Sequence, residues 1–220
     1  MALIKNKTSL NEVMKEIGIK SFSYPKTNNF ENDVVVDVIT VRDVEEILKK
    51  YSTNTVTKSF YECRTLSYKP SIFLAGPTLR NDYFENSWRK DAVRILEEKG
   101  FDGNVYIPES ETGDYSAINL DDKGYPEWEW ARLESPHTQV ILFWVPRDLD
   151  TLPGFTTNVE FGRYITLCPE KVVLGYPKSA PKNTYLGQLY DRFNKDGVCY
   201  TLEETIDKAL ERLNNKNRKG

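Results

Sequence analysis

Two glutamates at separate places in the chain are the residues best suited to chemistry. Glu160 lies in the stretch PGFTTNVEFGRY, which follows the apolar run 140–145. Glu129 lies between Trp128 and Trp130, where aromatic neighbours can exclude water and raise the pKa of a carboxyl group. One ionised carboxylate and one protonated carboxyl group can together displace a group from a glycosidic carbon. The two glutamates are therefore a candidate nucleophile and a candidate acid.

The spacing around Glu160 also allows an interpretation without catalysis. Thr157 and Glu160 are separated as in a capping box, in which the glutamate bonds to the backbone at the start of its own helix. The same pattern occurs at 201–204 and at 9–12, so the spacing alone does not separate catalysis from capping. The position favours catalysis, because Glu160 follows a predicted buried strand and a Pro-Gly loop. We predict that it lies in the first helical turn, where the helix dipole favours an ionised carboxylate.

The small number of histidines narrows the possible chemistry. His137 is the single histidine, so a multi-histidine metal site is excluded and a Ser-His-Asp triad would have to use that residue. The three cysteines are widely spaced and include no Cys-x-x-Cys pair, which argues against a thiolate zinc site and a disulfide framework. We therefore expect no metal, and we expect a reduced, cytoplasmic protein.

Composition and charge indicate a globular chain without a preference for polyanions. The 220 residues are 39% hydrophobic, which is enough for a core, and the formal net charge is −3. This charge provides no basic field for nucleic acid. No apolar run approaches the roughly 18 residues that a membrane span needs. We therefore expect neither nucleic acid nor a membrane as a partner.

Strands and helices alternate regularly from residue 71 onward. The predicted strands are 71–75, 104–108, 139–145 and 171–176. The predicted helices are 86–99, 127–133, one that contains Glu160, 185–193 and 201–213. This alternation predicts an α/β fold, a Rossmann-like or flavodoxin-like open parallel sheet of four to five strands flanked by helices. Neither a GxGxxG nor a P-loop motif occurs, although Gly76 and Pro77 after the first of these strands can bring the backbone close to a ligand.

The first 65 residues differ from the rest of the chain. A strand at 33–40 and helices at 9–17 and 41–51 are predicted there, but no motif can be attached to a reaction. We therefore expect a small N-terminal α+β appendage at 1–65 and a catalytic domain at 66–220. Within that domain the long polar loop 109–124 is predicted to be a lid.

Four short motifs occur in a recognisable order along residues 70–195. They are IFLAGP at 72–77, WR at 88–89, WE at 128–129 ahead of the strand ILFWVP, and NVEFG at 158–162. Together they resemble the nucleoside 2-deoxyribosyltransferase family, which shares its scaffold with the related 2′-deoxynucleoside 5′-phosphate N-hydrolases.

The resemblance implies a role for several residues. Glu160 matches the family nucleophile, which attacks C1′ of the deoxyribose. Glu129 matches an acid that helps to bind and protonate the substrate, although the family usually has aspartate there. Gly76 and Pro77 match the loop that lines the pocket, and Asn158 belongs to the motif of the nucleophile, which makes it a candidate for substrate binding.

Two further implications concern the surroundings of the site. Asn183, in the Pro-x-Asn context of the transferases, is implied to act in the site of a neighbouring subunit, so a homo-oligomer is expected. The transferases also carry an aspartate six residues before the nucleophile, and this chain has Gly154 there. Asp148 and Asp150 are candidate substitutes.

Three functions remain open from the sequence. A deoxyribosyltransferase would use Glu160 and Glu129 on deoxynucleosides and free nucleobases without a cofactor, with aromatic residues such as Trp88 against the base. A hydrolase acting on 2′-deoxynucleoside 5′-monophosphates would need a phosphate pocket, for which Arg80 and Arg89 are the candidates. A nucleotide-binding module without turnover would use Glu160 only as a helix cap.

Overall fold

The structure is a computed structural model that describes residues 56–60, 69–79, 86–110 and 124–217. The elements predicted before residue 56 lie outside these ranges, as does most of the predicted lid at 109–124.

Five strands and five α-helices lie within the described ranges. The strands are β1 (Val56–Phe60), β2 (Ser71–Ala75), β3 (Gly103–Ile107), β4 (Thr138–Trp144) and β5 (Val172–Gly175). The helices are α1 (Trp88–Glu98), α2 (Gly124–Leu133), α3 (Phe155–Leu167), α4 (Thr184–Phe193) and α5 (Leu202–Asn217). Every element that the sequence predicts after residue 70 is present. None of these helices is long and apolar enough to cross a membrane.

The five strands form one parallel sheet in the order β1-β3-β2-β4-β5. This confirms the predicted α/β fold with an open parallel sheet flanked by helices. The edge strand β1 comes from the stretch that the sequence assigned to the N-terminal appendage. The sheet therefore begins before the predicted domain boundary near residue 65.

Successive side chains of the central strands point to opposite faces of the sheet, and helices cover both faces. Ile72 and Leu74 of β2 face α1 and α5, whereas Phe73 and Ala75 face α2, α3 and α4. The helices bury apolar residues on the two faces: Ala92, Val93, Leu96, Ile206, Ala209 and Leu213 on the first, and Leu133, Phe161, Tyr164, Ile165, Leu186 and Tyr190 on the second. Because both faces are covered, the central strands have uninterrupted apolar sequences.

The direction of the chain across the sheet reverses next to β2. The chain runs from β2 through α1 to the neighbouring β3, and then crosses back past β2 through α2 to reach β4. The two crossover helices pack on opposite faces of the sheet. Open α/β sheets bind ligands beyond the carboxyl ends of the strands at such a reversal. The residues that follow β2 and β4 therefore lie where a ligand-binding site is expected.

Gly76 ends β2 in a conformation that only glycine adopts readily. Its φ is 153°, and an added Cβ would lie 2.2 Å from the carbonyl oxygen of Trp144 and 2.8 Å from the ring of Trp88. The loops that follow β2 and β4 also meet nearby, since a Cβ added at Gly154 would lie 3.4 Å from Cβ of Pro77. The glycine thus allows β2 to end directly against the backbone of β4.

We predict that Gly76→Ala lowers the free energy of unfolding by about 3 kcal/mol or more, because a backbone oxygen cannot move away as a side chain can. Chemical denaturation measures this change. Gly162→Ala is the matched control, since Gly162 lies inside α3 and an added Cβ would meet no atom within 4 Å. The control should gain about 0.5 to 1 kcal/mol from the higher helix propensity of alanine. Equal stabilities of the two variants would contradict the argument.

Candidate active site

The structure brings the two glutamates singled out in the sequence into direct contact. Glu129 comes from α2 and Glu160 from α3, and their side chains are hydrogen-bonded to each other. Both side chains are half-buried. A hydrogen bond between two carboxyl groups needs a proton on one of them, so this glutamate pair is a carboxyl group bound to a carboxylate.

The pKa of each member of the glutamate pair is raised well above the usual glutamate range. Loss of hydration is the main cause for both, and the charge of Glu129 adds to the shift at Glu160. The positive charge of Arg89 opposes the shift at both. Two carboxyl groups in contact resist double ionisation, so the pair keeps one proton near neutral pH.

The prediction that Glu160 lies in the first turn of its helix is wrong. α3 begins at Phe155, with Gly154 as its N-cap in the left-handed conformation, so Glu160 falls in the second turn. Gly154 provides no side-chain cap, and Thr157 is buried inside the helix instead of standing at the cap position. The helix dipole therefore does not control this carboxylate, and its surroundings favour the protonated form.

The same sequence pattern does form a capping box at α5. The backbone N–H of Glu204 donates to Oγ1 of Thr201 at 3.1 Å, and the backbone N–H of Thr201 donates to Oε2 of Glu204 at 3.2 Å. Glu204 is exposed and its carboxylate is occupied by the backbone. One Thr-x-x-Glu pattern therefore caps a helix, whereas the other places its glutamate in the pair. The pattern at 9–12 lies outside the described residues.

Arg89 of α1 connects the segments that surround the glutamate pair. Its side chain is completely buried. Nε donates to the carbonyl oxygen of Leu74 at 2.9 Å and Nη2 donates to that of Gly76 at 2.7 Å. Nη1 donates to Oε2 of Glu109 at 3.2 Å and to Oγ1 of Thr78 at 3.0 Å. The guanidinium thus holds the end of β2 and the segment after β3 in one arrangement.

The contacts of Arg89 bear on the predicted phosphate pocket. Its donors are directed at acceptors of the protein, so a phosphate could bind there only by replacing several of these partners. Arg80, the other candidate, lies outside the described residues. Neither arginine is therefore placed by the structure in an open anion pocket.

Trp88 and Pro77 support the loop after β2 rather than facing open solvent. Nε1 of Trp88 donates to the carbonyl oxygen of Pro77 at 2.9 Å, and the guanidinium of Arg89 lies 4.6 Å from the centre of the Trp88 ring. Pro77 itself is buried. The predicted role of Trp88 against a nucleobase remains a prediction, and its visible role is to pack beneath this loop.

Arg147, which follows β4, is a site residue that was not predicted from the sequence. Its side chain is 7% exposed, and Nη2 donates to Oδ1 of Asn158 in the first turns of α3. Nε has no hydrogen-bond partner, and no ion pair of Arg147 occurs within the described ranges. Burial lowers its pKa. The only signal in the sequence is an arginine a few residues after a buried strand.

Asn183 is buried against the same end of β4. Its Nδ2 donates to the carbonyl oxygen of Val145 at 2.9 Å, and its Oδ1 has no hydrogen-bond partner in the described part of the chain. The action of Asn183 in a neighbouring subunit remains a prediction. Within one chain the side chain is 1% exposed, so that action would require it to leave a buried hydrogen bond.

The two aspartates considered as substitutes lie in an exposed turn. Oδ1 of Asp148 accepts hydrogen bonds from the backbone N–H groups of Asp150 and Thr151, at 3.0 and 2.8 Å. Neither aspartate is among the charges that act on the glutamate pair. Asp148 therefore stabilises its own turn.

Two comparisons of the sequence with known proteins give no match. A scan of the sequence against models of protein families finds none that fits. A search among curated proteins also finds no relative. In the described ranges no three histidine, cysteine, aspartate or glutamate side chains are grouped as metal ligands.

We predict that the free energy of unfolding decreases as the pH rises from about 5 to about 8, by about 1 to 3 kcal/mol. Folding raises the pKa of both glutamates, so above the usual glutamate pKa the native chain binds more protons than the unfolded chain. Stability therefore falls as the pH rises toward the raised values. Chemical denaturation at a series of pH values measures this slope.

Glu160→Gln should make that slope shallower, because it removes one titrating group and the repulsion between the two. Glu98→Gln is the control, since Glu98 is exposed on α1 and pairs with Arg94 there. An unchanged slope in Glu160→Gln would show that the pair does not share a proton as described.

Proposed function

We propose that the protein cleaves the N-glycosidic bond of 2′-deoxynucleosides and transfers the deoxyribose to another nucleobase. The observation that carries this proposal is the half-buried glutamate pair with one shared proton, located where ligands bind in open α/β sheets. A nucleophile and an acid in direct contact are suited to a displacement at an anomeric carbon. The order of the four sequence motifs supports the same reaction.

The first step requires an ionised Glu160 and a protonated Glu129. Loss of hydration raises the pKa of both glutamates, so the hydrogen-bonded pair holds one proton before substrate is present. A shift of this proton along the hydrogen bond gives the reactive arrangement. Both arrangements carry one negative charge. Moving the proton therefore creates no additional charge in a site with little water.

In that step the Glu160 carboxylate forms an ester bond to C1′ and the N-glycosidic bond breaks. The electron pair of the broken bond stays on the nucleobase nitrogen, which takes the proton of Glu129. The pair holds one negative charge before and after, since Glu160 becomes a neutral ester while Glu129 becomes a carboxylate. Arg89 remains close enough to stabilise that charge on either residue.

The second step reverses the first with a different base. The Glu129 carboxylate removes a proton from the incoming nucleobase, whose nitrogen attacks C1′ as the ester bond breaks. Two displacements at C1′ give net retention of configuration. Loss of hydration in the site, which raises the pKa of both glutamates, also limits the access of water to the ester and favours transfer over hydrolysis.

We predict that Glu160→Gln lowers turnover of thymidine or deoxyinosine, in the presence of free adenine or cytosine, at least about 1000-fold. The wild-type protein should form the new nucleoside only when the free base is added, which chromatography of the products measures. Intact mass of the acid-quenched wild type should reveal one added deoxyribose, and the variant should carry none.

Glu204→Gln is the matched control, because it changes the same residue type in the same Thr-x-x-Glu pattern. The amide oxygen of glutamine can still accept the backbone hydrogen bonds at the start of α5, so stability should fall by less than about 1 kcal/mol while turnover is unchanged. No product from any deoxynucleoside or its monophosphate under any condition would contradict the proposed function.

A second candidate is hydrolysis of 2′-deoxynucleoside 5′-monophosphates, and Arg147 favours it. A buried guanidinium without an ion-pair partner in the described ranges is unfavourable unless an anion binds to it. It contacts Asn158 of α3, a helix of 13 residues whose N-terminus has no side-chain cap. A phosphate there would bind both the guanidinium and the free backbone N–H groups of the helix.

We predict for this candidate that Arg147→Gln raises KM for a deoxynucleoside monophosphate about 10- to 100-fold, the loss of one charge-assisted contact. Turnover of the matching nucleoside should be unchanged, and deoxyribose 5-phosphate should form whether or not a base is present. Arg163→Gln is the control, since Arg163 is exposed on α3 and pairs with Glu134. Equal effects on nucleoside and monophosphate would exclude a phosphate contact of Arg147.

A further inference from the structure

We infer that the buried ion pair of Arg89 with Glu109 sets the pH range in which the glutamate pair carries a single proton. In this role, which rests on the proposed function of the glutamate pair, both are positioning residues that touch no substrate atom.

The position of Arg89 is fixed by acceptors from separate segments of the fold. The guanidinium is bound by carbonyl oxygens at the end of β2, by the hydroxyl of Thr78 and by the carboxylate of Glu109. The side chains of Arg89 and Glu109 are 1% and 2% exposed. A planar guanidinium with its donors in use on several sides cannot turn away without breaking these bonds, so its charge is held in one place.

Few other ionisable groups act on the glutamate pair within the described ranges. Arg89 reaches it from α1, and Tyr164 lies one turn beyond Glu160 on α3. Burial raises the pKa of Tyr164 to about 12, so this phenol stays neutral over the range of interest. Glu109 acts through Arg89, whose charge it balances. Arg89 is thus the cation that decides how readily the glutamate pair loses its last proton.

Glu109 limits the effect of that cation. Its Oε2 bonds to Arg89, while its Oε1 is buried without a hydrogen-bond partner in the described part of the chain. The carboxylate is therefore balanced mainly by the same guanidinium that acts on the glutamate pair. Loss of the charge at Arg89 should make the pair hold its protons to higher pH. Loss of the charge at Glu109 should make the pair release them at lower pH, because Arg89 is then less neutralised.

The test is a pH titration of 13C-labelled glutamate side chains by NMR, which needs no substrate. We expect the signals of Glu129 and Glu160 to titrate on the order of one pH unit higher in Arg89→Gln, and to titrate lower in Glu109→Gln. Arg89→Lys keeps the charge and should remain close to the wild type in titration while it loses turnover through the lost contacts. Arg94→Gln, an exposed arginine of the same helix, is the control and should shift nothing.

Shifts in the same direction in Arg89→Gln and Glu109→Gln, or no shift in Glu109→Gln, would overturn the inference. If Arg89→Gln does not fold, the downward shift in Glu109→Gln and the retained titration in Arg89→Lys decide the matter. The pH profile of kcat should move in the same directions as the titration. A protein that shows the NMR shifts but turns over no nucleoside would retain the ion-pair role and lose the proposed function.

Discussion

The site depends on the hydrogen bonds and the charge of a fully buried guanidinium beyond the end of β2. Arg89 ties the carbonyl oxygens at the end of β2 to the carboxylate of Glu109, and its charge acts on both members of the glutamate pair. Breaking a buried ion pair by removing one partner costs about 3 to 5 kcal/mol, because the other charge is left without compensation. The loop after β2, the segment after β3 and the charge of the glutamate pair therefore respond together to any change at Arg89.

The site combines several features that oppose folding. Two carboxyl groups in contact share a proton with little water around them, Arg147 is buried without an ion-pair partner in the described ranges, and Gly76 has a φ of 153°. The apolar clusters on the two faces of the sheet supply the stability that offsets them. Such arrangements persist in proteins where they serve chemistry, since a better-packed alternative would be more stable.

The sequence predicts the scaffold better than it predicts the site. Strands buried on both faces are necessarily apolar runs, so β2 to β5 could be found from their composition. Glu129 and Glu160 could be singled out by their neighbours and by the resemblance, but their contact depends on how α2 and α3 pack. The burial of Arg89 could not be predicted, because an arginine beside a helix N-cap is usually solvent-exposed. Most of its partners are backbone carbonyls, which carry no signal in the sequence.

The two Thr-x-x-Glu patterns show why the local signal is insufficient. At 201–204 the glutamate accepts hydrogen bonds from the backbone at the start of α5, and these bonds lower its pKa. Around 157–160 the helix begins earlier in the pattern, at Phe155 with Gly154 as its N-cap, so the first turn ends before Glu160 and the backbone offers it no such bond. There the carboxylate lies against Glu129 with little water, and its pKa rises. The same four-residue pattern therefore gives pKa shifts in opposite directions. The difference comes from a left-handed glycine and from the helix that packs alongside.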